Sequence, residues 1–508
     1  MAFLALLLAV GQIAVIEAQE AATPIASPVA TSPGFAAAPC PFALPATLVE
    51  GTDLTCGYLT VPERHEVPDG PMIQLAVAIM SPVGGNAVDT PLVILNGGPG
   101  QDSGVILSAM GMPTFPAYTL RQNRQVIVFD QRGVGASRPS LACPEIAEDD
   151  RLYQSMSVNE SSALLTGLAA QCRDRLVGEG VDLGAYTSAQ SAADVAALRV
   201  AVGYEEIDLY GVSYGTRLAL TIMRDHPEGI RSVILDANYP LQRDLYADAP
   251  ATFNAALQGM FAGCAADAFC AQVNPDLPGA LQQAVEQLNA SPVPMTITPY
   301  GLTETIDLEL DGVGFLNSVV FASLYATPLI PLLPYVITTT ANGIMAPVEQ
   351  FLMVLLASPP ISYGMYYSIQ CSEEIPFADE TAPATPVAEA LPLLPVIADY
   401  FQVDDSLESV CEDWPVDAPN PIENQPVTSD IPTLIVDGAL DPVTSPDNAF
   451  LIAEGLPNAT VAIFPGAGHS LLDQPCPLSI FVAFLADPAT EPNLSCAADM
   501  ETDFSPSM

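Results

Sequence analysis

Ile207 to Asp225 read IDLYGVSYGTRLALTIMRD, and this stretch decides the fold. A short apolar run, Ile207 to Tyr210, meets Gly211-Val212-Ser213-Tyr214-Gly215 and passes directly into helical spacing, with Leu218, Ile222 and Met223 on one face. The order is strand, sharp turn, helix. In a G-x-S-x-G turn the serine adopts a strained backbone, and a side chain at either glycine would collide with the neighbouring strand or helix. Ser213 Oγ is thereby held out at a helix N-terminus, where free N–H groups and the dipole favour a developing negative charge. The context predicts a nucleophile rather than a structural Gly-Ser turn.

A serine hydroxyl needs a base to take its proton and an acid to orient that base. Of the 3 histidines, His65 lies in an early loop and His226 ends the helix that begins at Ser213. His469, in PGAGHS at 465–470, follows a predicted strand in a loop at the catalytic end of the sheet, and is the candidate base. The loop DGALDPVT at 437–444 offers two carboxylates. Asp441 is far enough along to reach an imidazole and is the preferred acid; Asp437 is still effectively in its strand, and Asp236, ending an earlier strand, is the third candidate. The order Ser213, Asp441, His469 is that of the α/β-hydrolase fold. Acyl transfer also needs N–H donors for an oxyanion. Tyr214 N–H should be one, and Gly97 or Gly98, in NGGPG at 96–100 after a predicted strand, the other.

Outward from the elbow, the apolar runs keep an α/β rhythm. Tyr58–Val61 and Ile73–Met80 read as an opening antiparallel pair. Leu92–Leu95, Val126–Phe129, Ile207–Tyr210, Val233–Leu235, Leu434–Val436 and Val461–Phe464 are short, continuous and rich in branched residues, as in strands buried on both faces. Ser188 to Val202 has helical spacing and stops at Gly203. The expected fold is a mostly parallel eight-stranded sheet flanked by helices, with ligands at the C-terminal strand ends. Between Pro240 and about Thr428, roughly 190 residues separate two core strands, far more than one crossover needs. Residues 241–428 are therefore expected to form a large, mainly helical cap, dividing a core of residues 40–240 and 429–508. Gly312 to Cys371 carries Glu349 as its single charge, but Pro328, Pro331 and Pro334 interrupt the run and no basic flank exists. A buried cap partly lining an apolar pocket is favoured over a membrane span.

The chain has 508 residues, 13 basic and 59 acidic, and a net charge of −46; lysine is absent and the last arginine is Arg243. Such a field excludes nucleic acid and anionic membrane surfaces and would attract cations, including substrates with a free amine. Adaptation to salt, low pH or solubility is the simpler reading of the acidity. Residues 1–18 open with the uncharged run MAFLALLLAVGQIAVI and read as an export signal, and residues 19–39 as a Pro/Ala-rich tether. The 10 cysteines suggest disulfides in an exported protein, with neighbours in sequence as plausible pairs: Cys40 with Cys56, Cys143 with Cys172, Cys264 with Cys270, Cys371 with Cys411, Cys476 with Cys496. No C-x-x-C pair is present, which argues against a zinc site.

NGGPG at 96–100, FDQRGVGASRP at 129–139, DVAALRVAVGYEEIDLYGVSYGTRLAL at 194–220, DGALDPVTSP at 437–446 and GAGHS at 466–470 together resemble the proline iminopeptidase and secreted tripeptidyl aminopeptidase family of α/β-hydrolases. The likeness covers about 50–240 and 425–490. It implies a cofactor-free serine exopeptidase acting on free peptide N-termini, with a helical cap over the site. In that family an acidic cap group often receives the substrate amine, and Cys371-Ser372-Glu373-Glu374 resembles that element, which points to Glu373 or Glu374. Asp130 and Arg132 are expected to brace the loop after their strand. Iminopeptidases typically begin the oxyanion motif with His where this chain has Asn96, and the cysteine-rich, exported form is closer to the tripeptidyl type. Two other readings keep the fold: an esterase or lipase-like hydrolase whose apolar cap accepts acyl chains, and a non-catalytic binding module, against which the intact Ser, Asp and His argue.

Overall fold

The computed structural model describes residues 34–84, 87–147, 158–357, 361–378, 392–394 and 405–504. The segment read as an export signal and most of the tether lie outside these residues. Nine strands form the main sheet: β1 (Gly34–Ala37), β2 (Leu54–Pro62), β3 (Met72–Met80), β4 (Leu92–Leu95), β5 (Val126–Phe129), β6 (Ile207–Val212), β7 (Ile230–Asp236), and, after the pair β8 (Val293–Ile297) and β9 (Ile306–Leu310), β10 (Thr433–Gly438) and β11 (Ala459–Phe464). Their order is β1-β2-β3-β5-β4-β6-β7-β10-β11. From β5 to β11 every neighbour is parallel, while β1, β2 and β3 add antiparallel partners at one edge.

The sheet thus has one strand more than expected. The extra strand, β1, comes from the end of the tether, where Gly34 to Ala37 pair with Thr60 to Gly57. The backbone groups of the β2 edge need partners, and this small-residue run supplies them.

Period-two alternation sends side chains to both faces. Val93 and Leu95 enter one core cluster and Leu92 and Ile94 the other; Ile127 and Phe129 part from Val126 and Val128 in the same way. The helices Val158–Gly178, Ser188–Val202 and Tyr214–Asp225 cover the first face, and Gly104–Gly111 and Pro475–Ala486 the second. Ser188–Val202 is capped by Thr187, whose side chain accepts from Gln190 N, and ends at Gly203 with φ 85°, a left-handed conformation that glycine takes without penalty.

Residues 241–428 divide by what they bury against. Helices and the β8–β9 hairpin between Leu245 and Leu355 build a cluster of their own around Phe253, Phe315 and Leu352, joined from the core by Leu440 and Phe504. Met365, Tyr367, Ile369, Leu407, Val410 and Trp414 instead join the core cluster that holds Leu218 and Leu235. Besides its helices this interval carries the hairpin β8–β9. Among the described residues no helix is long and apolar enough to cross a membrane. Disulfides join Cys40 to Cys56, Cys143 to Cys172, Cys264 to Cys270, Cys371 to Cys411 and Cys476 to Cys496.

Candidate active site

Ser213 sits between β6 and the helix Tyr214–Asp225 with φ 57° and ψ −126°, a left-handed conformation rare outside glycine that costs about 1–3 kcal/mol. The surroundings enforce it. Ser213 N donates to Asp236 O at 2.9 Å, and Thr216 Oγ1 donates to Ser213 O at 2.7 Å. A Cβ on Gly215 would strike Leu95 O, and one on Gly211 would strike Gly215 O, so neither flanking position tolerates a side chain.

The β4 loop runs directly against the serine. A Cβ on Gly97 would stand 2.9 Å from Ser213 Cβ and 3.4 Å from Ser213 Oγ, and Gly98 takes φ 109°. Tyr214 N–H heads the nucleophile helix. Outside regular helix and strand ladders, no backbone hydrogen bond among the described residues uses the N–H of Gly97, Gly98 or Tyr214. Asn96 fixes the loop, donating from Nδ2 to Asp102 O at 3.0 Å and to Ser103 Oγ at 3.2 Å, while Gln131 Nε2 donates to Asn96 O at 3.0 Å.

Of the three carboxylates the sequence offered, the structure brings Asp441 to the imidazole: Asp441 Oδ2 is 2.7 Å from His469 Nδ1. Asp441 Oδ1 accepts from Val443 N and Thr444 N at 2.8 and 2.9 Å. Asp437 faces Asn238, whose Nδ2 lies 2.7 Å away, and burial pushes its carboxyl well above the usual range. Asp236 is bonded by the Tyr210 hydroxyl and by Leu471 N, and burial raises it to about 6. The other histidines are elsewhere: His65 Nε2 pairs with Asp194 at 2.7 Å, and His226 caps the far end of the nucleophile helix. His469 Nε2 is buried and meets no hydrogen-bond partner among the described residues.

Asp130 accepts from Ser103 N and Ala136 N, both at 2.8 Å, and Arg132 grips Asp194 through Nε and Nη2 at 2.8 and 2.7 Å. Both brace the loop after β5.

Glu373 and Glu374 lie on a π-helical turn, Gln370–Glu374, which crowds both against Arg217, one turn beyond Ser213 on the same helix. Glu373 is saturated: Ser188 N and Oγ each donate to it at 2.6 Å, and Arg217 Nε at 3.3 Å. Ser188 Oγ also meets the Tyr214 hydroxyl at 2.8 Å, tying Glu373 to the residue beside the nucleophile. Glu374 Oε1 is 2.7 Å from Arg217 Nη1, close enough for an ion pair but out of line for a hydrogen bond. Burial raises Glu374 to about 7 despite Arg217 and a hydrogen bond from Tyr239. Two carboxylates share this one buried guanidinium.

Three side chains at the site were not singled out in the sequence. Thr444 is hinted at by its place in DPVT, and Arg217 by lying four residues after Ser213 on a helix. Tyr325, stacked on His469, has no local signal at all.

Residues 90–288 match the family model of the alpha/beta hydrolase fold, and residues 398–496 that of TAP-like proteins. The chain is 26% identical over 484 residues to serine protease Hip1 of Mycobacterium tuberculosis, covering 90% of this chain and 89% of that one. It is 31% identical over 206 residues to tripeptidyl aminopeptidase of Streptomyces lividans, covering 38% and 36%. The solved proline iminopeptidase of Mycobacterium smegmatis superposes with a TM-score of 0.39 at 15% identity, over 85% of this chain and 98% of that one. The chain is a serine hydrolase of the α/β-hydrolase fold, similar in part to TAP-like proteins and to a serine protease and a tripeptidyl aminopeptidase.

Proposed function

We propose that the protein is an exported aminopeptidase that cleaves peptide bonds near free N-termini through an acyl-enzyme. Ser213 Oγ attacks the peptide carbonyl carbon while its proton passes to His469 Nε2, and Asp441 holds the imidazole through Nδ1. The N–H groups of Tyr214 and of Gly97 or Gly98 receive the oxyanion. Collapse breaks the C–N bond, with the proton going from His469 to the leaving amine, and water then repeats the sequence on the ester.

The observation that carries the free-amine preference is the charge around Arg217. Glu373 and Glu374 outnumber the guanidinium, so once Glu374 ionises, at about pH 7 and above, the cluster holds an excess negative charge, and Glu374 Oε1 has no hydrogen-bond donor. A substrate ammonium would balance that charge and fill that acceptor. A serine protease and a tripeptidyl aminopeptidase among the relatives support the same reading, and five disulfides support export.

The test compares chromogenic di- and tripeptide amides with free and with acetylated N-termini, beside a short-chain ester. Strong preference for the free amine is expected, with peptide length separating the prolyl from the tripeptidyl type. Turnover of the ester alone would leave the triad standing and favour a carboxylic-ester hydrolase.

A further inference from the structure

Asp236, the third carboxylate offered by the sequence, does not meet the imidazole, yet it is bonded to the backbone on both sides of the Ser213–His469 pair. It ends β7, between the strand that carries the nucleophile and the strand that leads to Asp441, and is paired with Val212 of β6 and Val436 of β10. Its carbonyl accepts from Ser213 N at 2.9 Å. Its carboxylate turns to the face of the sheet opposite the nucleophile helix, where Oδ2 accepts from Leu471 N at 2.8 Å and from the Tyr210 hydroxyl. Leu471 stands two residues after His469. One residue thus holds the elbow through its main chain and the base loop through its side chain.

The base loop is strained where it is held. Ser470 takes φ 69°, a left-handed conformation that a non-glycine residue keeps only where its surroundings over-determine it. The N–H groups on either side are both engaged: His469 N donates to Tyr325 O at 3.1 Å, and Leu471 N to Asp236. Asp441 sets how the imidazole is turned, whereas the Leu471 bond sets where its backbone stands relative to the elbow. Packing does not account for the carboxylate. It is fully buried on a face built from Ile234, Val436 and Leu471, where a leucine of similar volume would avoid the desolvation that raises this carboxyl to about 6.

We propose that Asp236 is a positioning residue that sets the separation of Ser213 and His469, by tying the base loop at Leu471 N to the strand end that holds the nucleophile elbow. This rests on the reading of Ser213 as nucleophile and His469 as base.

The test follows phosphonylation by a small alkyl fluorophosphonate, which needs the serine and its base but no peptide subsite. Wild type, D236A, D236N, the double variant Y210F/D236L and S213A are compared by the rate constant of labelling and, separately, by the fraction of chains labelled. Misfolding lowers the fraction, whereas displacement of His469 lowers the rate constant. D236A should label about 10- to 100-fold more slowly than wild type. D236N keeps an oxygen that can accept from Leu471 N, and should recover the rate to within about threefold of wild type. Y210F/D236L removes the phenol hydroxyl together with its acceptor, so it serves where D236A does not fold, and it should be slowed to the same extent. A rate constant within about threefold of wild type for D236A or the double variant, or equal slowing of D236N and D236A, would overturn the positioning role, and an inert S213A would leave the nucleophile intact. Labelling of S213A at the wild-type rate would instead remove the nucleophile assignment, and this inference with it.

Discussion

Thr444 donates a 2.6 Å hydrogen bond from Oγ1 to Asp441 Oδ2, the same oxygen that lies 2.7 Å from His469 Nδ1. Together with two backbone donors on Oδ1, this leaves the carboxylate one orientation. Removing a hydrogen bond to a buried charged group costs about 1.5–3 kcal/mol, so T444V should lower kcat by about 10- to 100-fold with little change in KM. D441N should lose about 10⁴ in kcat, because an amide cannot hold the imidazole in the required tautomer. Steady-state kinetics on one peptide amide checks both.

Glu374 should govern affinity and not the chemical step. E374Q keeps the shape and removes the charge, so KM for a free-amine peptide should rise by about 10-fold or more while kcat stays within about threefold. An acetylated peptide should be indifferent to the change. Because burial lifts Glu374 to about 7, its carboxylate forms as pH climbs through that value, and 1/KM for the free-amine peptide should climb with it. In E374Q this rise should be absent.

The same burial sets how stability depends on pH. Glu374 is raised from 4.5 to about 7, and Asp236 and Asp130 from 3.8 to about 6, in each case chiefly by desolvation. A raised acid binds its proton more tightly in the folded than in the unfolded chain. Stability from these three therefore falls as pH rises from about 4 to 7 and returns on acidification. Glu145 and Asp182 act in the opposite sense, since Arg175 and Arg64 depress them and their contribution is lost below the ordinary carboxylate range. Melting temperature should be highest near about pH 5 and decline towards pH 8, and E374Q should flatten that decline.

The core strands were legible because burial on both faces makes each a continuous branched run. Leu92–Leu95 and Val126–Phe129 keep the same bounds in sequence and structure. β1 was not, because GFAA has no alternation and gains order only from the free edge of β2. The hairpin strand Ile306–Leu310, IDLEL, carries a period-two pattern that marks it out within a mainly helical interval. At the site, Ser213 and His469 were legible because each follows a strand in a distinctive glycine-rich loop. Asp441 was preferred over Asp437 and Asp236 by its distance along the loop, although reach to an imidazole depends on how that loop folds. Tyr325 was beyond sequence reasoning: it lies in a featureless apolar run, 112 residues after Ser213 and 144 before His469, and only chain folding brings it back.

In the proposed mechanism Ser213, polarised by His469, performs the attack. The most direct measurement is kcat/KM of folded S213A on a free-amine tripeptide amide. The expected result is a loss of about 10⁴- to 10⁶-fold with an unchanged melting temperature and no trapped acyl-enzyme by intact mass. Turnover within about tenfold of wild type would contradict it.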